Sequence, residues 1–156
     1  MTSLLNALLT IFDWLGDRIT IIKVLYKLGK GLAGRKIAIF AKGDSVNSLM
    51  RLLTETKLFQ EKNVITISDV GDLGWAEQAT VFLVHWIDWM DDFDAILDLK
   101  KQRDKAALIV YAPQKEGFIL PETMDKLSQP HNVTVTNFRG RLLNDIVVSM
   151  ITTGYQ

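Results

Sequence analysis

The chain of 156 residues has no cysteine. Disulfides, thiolate nucleophiles and Cys-ligated zinc are therefore excluded. It has two histidines, far apart in sequence, which argues against a dedicated transition-metal site. It also lacks an excess of either charge, with 18 Lys and Arg against 18 Asp and Glu. A protein that holds nucleic acid by neutralising phosphates carries a basic surplus, so nucleic acid is not an expected partner. The N-terminus lacks a basic n-region and an A-x-A-like cleavage site, which argues against a secretory signal and for a cytoplasmic protein.

What is present in quantity is apolar surface. Hydrophobic residues make up 48% of the chain, enough for a real core and too many for disorder. The distribution is uneven. Residues 1–30 contain no proline and repeat at helical spacing, with Ser3, Asn6, Thr10, Asp13, Asp17 and Thr20 forming a narrow polar stripe on an otherwise apolar helix. Asp13, Asp17, Arg18 and Lys23 interrupt every window of about 20 apolar residues that a membrane span would need. The expectation is an amphipathic extension that pairs with another copy or a partner protein, or that lies in a membrane surface with Trp14 and Tyr26 at the interface. A Gly-rich hinge at 31–35 follows.

From residue 36 to 156 the pattern changes to alternating strands and helices. Short apolar runs at 36–41, 63–68, 80–86, 107–113 and 132–138 read as strands. Helical spacing at 45–59, 91–105, 121–128 and 141–155 fills the gaps, and residues 71–79 read as a loop or short helix. The order predicts an α/β fold: an open parallel five-stranded sheet with helices on both faces. Such sheets bind ligands beyond the carboxyl ends of their strands, at the point where strand order reverses.

The segments at that edge carry the candidate chemistry. After the first strand, Gly43 permits an unusual backbone angle, and Asp44 or Ser45 can cap the next helix. After the third strand comes "HWIDWMDDFDAILDL" (85–99), two Trp and a run of acids. Acids in a first helical turn are expected from the helix dipole alone, with Asp91 and Asp92 as caps, Phe93, Ile96, Leu97 and Leu99 in the core, and Asp94 and Asp98 toward water. After the fifth strand, Arg139 and Arg141 flank Gly140 and could hold a phosphate or carboxylate in a fork. A phosphorelay receiver would need a phosphoacceptor Asp ending the third strand and a Lys ending the fifth. This chain offers His85 and Trp86, then Asn137, so that reading fails.

In order, "KIAIFAKGDSVNSLMRLLTE", "DLGWAEQATVFLVHWIDWMDDFDAILDLKK" and "NFRGRLLNDIVVSMI" resemble the first strand and helix, the middle, and the last strand and helix of a TIR domain. The resemblance covers roughly residues 35–155 and implies a flavodoxin-like topology. It also implies one of two working modes: homotypic assembly in signalling, with a role in host defence, or hydrolysis of NAD by a Glu a few residues past a Trp in the helix after the third strand. Trp89 stands in about that place, but no Glu occurs in that helix. Asp94 is the nearest carboxylate, one methylene shorter. The expectation is therefore a non-catalytic TIR-like assembly domain without a cofactor. The rival readings are an NAD-cleaving enzyme with Asp94 as its acid, and a nucleotide-sensing module. In the sensing module Arg139 and Arg141 hold phosphates, Trp86 or Trp89 stacks a base, and Asp44 stands at the anion-binding helix start.

Overall fold

A computed structural model describes Gly29 and residues 34–56 and 59–153. The chain divides into two units, residues 1–34 and 35–156. The amphipathic extension expected at 1–30 and most of the hinge lie outside the described residues.

The second unit is built on five short strands: β1 (Ile37–Phe40), β2 (Val64–Ile67), β3 (Val81–His85), β4 (Ala107–Tyr111) and β5 (Val133–Thr136). All neighbours pair in parallel, in the order β2-β1-β3-β4-β5. This is the flavodoxin-like order, in which the reversal falls between β1 and β3. Burial follows position in the sheet. Every residue of β1, β3 and β4 is buried, whereas the edge strands β2 and β5 are mostly half-exposed. A central parallel strand is covered on both faces, so its sequence is continuously apolar, as in "VFLV" and "ALIVY".

The helices are α1 (Asp44–Glu55), α2 (Trp86–Trp89), α3 (Phe93–Gln102), α4 (Pro121–Ser128) and α5 (Arg139–Thr153). Residues 70–78, expected as a loop or short helix, form a long 3-10 helix that leaves Trp75 well exposed and Ala76 buried. One face of the sheet (Ala38, Phe40, Phe82, Val84, Leu108, Val110) packs with Trp89, Phe93, Ile96 and Leu127 into a single core. Phe40 meets both Phe82 and Trp89 edge-to-face at 5.6 Å. Such aromatic pairs add about 0.5–1.5 kcal/mol beyond their buried area. The alternate residues Ile37, Ile39, Leu83 and Ile109 point the other way, as the strand period requires. That side is closed by α1, which packs on β1 through Leu49 and Leu53, and by α5, which packs on β3, β4 and β5 through Leu142, Ile146 and Met150.

Two helix starts differ from the sequence reading in detail. At α1 the N-cap is Gly43, with φ +57°, and no side chain caps the helix; Asp44 is already in its first turn. At α3 the N-cap is Asp92, as expected, but its carboxylate makes no capping bond. It pairs with Lys42 Nζ at 3.3 Å instead, because the end of β1 brings that cation alongside. Among the described residues no helix is long and apolar enough to cross a membrane.

Candidate functional site

Chain connectivity puts the ends of β1, β3 and β4 next to one another, and a cleft of about 230 Å³ opens there. The first turn of α1 supplies Asp44 and Ser45, and the next turn supplies Ser48. β3 ends in His85 and β4 in Tyr111; the loop after β4 brings Glu116, and the start of α5 brings Arg139. These residues lie up to 95 positions apart in sequence, from Asp44 to Arg139. They converge because parallel strands all deliver their following segments to the same edge.

His85 is the centre of this site. It is the last residue of a fully buried strand and only 5% exposed. Glu116 Oε2 lies 3.0 Å from its Nε2, and Asp88 Oδ2 lies 2.9 Å from its Nδ1. Nδ1 faces that carboxylate at ion-pair distance without the alignment of a hydrogen bond. That Asp88 oxygen accepts the backbone N–H of Lys42 at 2.9 Å, which ties α2 to the turn after β1. The ring of Tyr111 stands 5.8 Å from the imidazole, tilted by 50°. Lys42 Nζ sits 5.0 Å above the Trp89 ring while pairing with Asp92, so one cation after β1 touches both α2 and the start of α3. On the far wall, an Arg139 guanidinium nitrogen donates to the carbonyl of Ser48 at 2.9 Å, which pins the start of α5 to α1.

Of the residues singled out in the sequence, Asp44 and Arg139 line this cleft together. Arg141 is exposed one helical step farther on and is not part of the lining. Trp86 and Trp89 are buried, at 6% and 0% exposure. Trp86 packs edge-to-face on Phe93 at 5.1 Å and Trp89 on Phe40, so neither offers an open face on which a base could stack. Asp94 faces a different opening, a groove of about 600 Å³ between α3 and α4, where it pairs with Lys126 at 2.7 Å. Among the described residues no three acids or histidines group closely enough to hold a metal ion.

Sequence reasoning passed over His85, Glu116 and Tyr111. The signal for them was positional. His85 is the polar residue closing an otherwise apolar strand run, but neither the composition nor the spacing of the segment after β4 singles out Glu116. Only the fold brings that carboxylate back across 31 positions to the imidazole.

Compared with known proteins, the chain matches no family model, no curated protein and no solved structure.

Proposed function

We propose that this chain is a TIR-like signalling or assembly domain that works by association, not by turnover. The observation that carries the reading is the loop between β4 and α4. It holds Phe118 at 83% and Leu120 at 64% exposure, beside Ile87 of α2, which is also open to solvent. Gly117, at φ +134°, takes a backbone conformation that favours glycine and brings the loop to ordinary contact distance of Ile87. Large apolar side chains held outward on a loop tied to the core leave water when a second surface covers them. The placement of Asp94 supports the same reading. It is an exposed acid paired with a lysine, away from the cleft at the strand ends.

Light scattering of the full chain over a range of concentrations tests this directly. The expected result is a mass that rises with concentration in the wild type and falls to that of a monomer in Phe118→Asp/Leu120→Asp. A wild type that stays monomeric throughout would remove the basis for the proposal. Incubation with NAD addresses the enzymatic alternative: no nicotinamide release is expected, and release that vanishes in Asp94→Asn would favour the hydrolase.

A further inference from the structure

The loop after β4 is tied to the domain at few points. Among the described residues, 113–119 make one polar contact beyond their own stretch, from Glu116 Oε2 to His85 Nε2 at 3.0 Å. The other ties are apolar or local. Ile119 packs against the core, and the Glu116 N–H donates to the Pro113 carbonyl at 2.9 Å. What happens at His85 therefore reaches the segment that carries Phe118 and Leu120.

Two carboxylates facing one imidazole constrain its protons. A neutral imidazole has one N–H and one lone pair, whereas an imidazolium has two N–H groups. Glu116 Oε2 and Asp88 Oδ2 lie 3.0 Å and 2.9 Å from the two ring nitrogens. With one proton on the ring, the nitrogen that lacks it turns a lone pair toward a carboxylate oxygen. With two, both carboxylates are compensated. The carboxylates also differ in their freedom to leave. The Asp88 side chain is only 17% exposed, and its Oδ2 is held by the Lys42 N–H at 2.9 Å. The Glu116 side chain is 47% exposed, so water can replace the imidazole as its partner. A neutral ring thus keeps its proton toward Asp88 and repels Glu116.

The other charged groups around the ring do not change this balance. Among the described residues only Asp88 and Glu116 come within ion-pair distance of it. On β4, Tyr111 presents its ring at 5.8 Å. Asp44 of α1 and Arg139 of α5 line the same cleft with opposite charges, and Arg139 donates to the Ser48 carbonyl. Lys42 directs its ammonium to Asp92 and the Trp89 face. The other histidine, His131, lies in the groove between α3 and α4.

We propose that Asp88, His85 and Glu116 form a proton-sensitive latch on the loop after β4, closed when the imidazole carries two protons and released when it carries one. Histidine is the side chain whose ordinary charge change falls between about pH 5 and 8. The consequence for the presentation of Phe118 and Leu120 rests on the association reading. The latch does not, because it is read in Phe118→Ser/Leu120→Ser, which adds no charge and keeps all three latch residues.

The test is hydrogen exchange by NMR on the isotope-labelled full chain at about pH 5.5 and about pH 8, expressed as protection factors to remove the intrinsic pH dependence of exchange. In the wild type, protection of the Glu116 amide should fall about tenfold at the higher pH, the loss of one charge-assisted hydrogen bond. Glu116→Gln, an exposed change, puts both a donor and an acceptor against the ring and pairs with either protonation state, so its protection should change by less than about twofold. Equal protection of the wild type at both pH values, or a tenfold fall that persists in Glu116→Gln, would overturn the latch. The same fall in Phe118→Ser/Leu120→Ser supports it, even if the wild type proves monomeric and the association reading fails. A fall that disappears in that variant would trace to covering of the loop by a second chain and would overturn it.

Discussion

The cleft around His85 and the groove between α3 and α4 are both lined by charged side chains, yet they are built in opposite ways. The cleft draws its lining from five elements that meet only because the sheet is parallel, and it encloses a buried imidazole between two carboxylates. The groove draws on the flanks of two helices and on the turn after α4. Its charges are mostly paired, Asp94 with Lys126 at 2.7 Å and Asp98 with Lys101 at 2.8 Å. Of these, Lys101 is held above the usual lysine range, first by its hydrogen bond to Asp98 and then by the attraction of that carboxylate. The groove is more than twice as large, yet its ion pairs are exposed to water, and exposed pairs of that kind contribute little to stability. Size alone therefore does not identify a site. Convergence of polar groups from distant segments around one buried imidazole is the more discriminating sign.

The largest effect is expected in the core that carries both openings. Trp89, fully buried in that core against Phe40, should cost about 3–5 kcal/mol on truncation to alanine, measured by urea unfolding. A loss under about 1 kcal/mol would mean that this face of the sheet is not packed as described. His85→Ala comes next. It removes the group that joins α2 to the loop after β4, and an expected loss of about 1–3 kcal/mol should be accompanied by faster amide exchange at 113–120. Unchanged exchange would show that Glu116 does not hold the loop through the imidazole.

On the other side of the comparison stands Lys100, a residue of α3. Its side chain is fully buried, and its ammonium donates to the Asp104 carbonyl at 2.7 Å. Burial lowers its pKa from the ordinary 10.5, and the nearby Asp104 carboxylate offsets this only in part. The unfolded chain therefore holds this proton more tightly than the folded one. Below the lowered folded value both states are protonated and the penalty is complete. It fades as pH rises from that value toward 10.5 and is absent above it. Relative to Lys100→Met, the wild type should gain stability across that alkaline window; parallel denaturation curves of the two proteins would show that the burial penalty is misassigned. The smallest effect is expected in the groove itself, where Asp94→Asn should change stability by no more than about 1 kcal/mol, with the difference shrinking in high salt. A larger, salt-independent loss would place Asp94 in a tighter network than one lysine.

Much of the fold was legible along the chain. Continuous apolar runs marked β1, β3 and β4, and helical spacing marked α3, where Phe93, Ile96, Leu97 and Leu99 all enter the core and Asp94 and Asp98 face solvent. The alternation of these elements was enough to predict a parallel sheet, because crossover connections leave few other topologies. The candidate site was legible only in part. Asp44 and Arg139 could be proposed because both follow a strand. Trp86 and Trp89 read equally well as stacking platforms or as core, since composition does not show which way a ring points.

The sequence alone thus determined which segments are strands and which are helices, because periodicity and burial are local and repeat along the chain. It also determined the absence of any thiol chemistry. Only the tertiary structure decided that Asp94 and Asp44 belong to different openings, that both tryptophans turn inward, and that Glu116 returns to His85. Each of those outcomes depends on how far apart two elements stand after β1, β3 and β4 have paired, and that distance is written in no single stretch of residues.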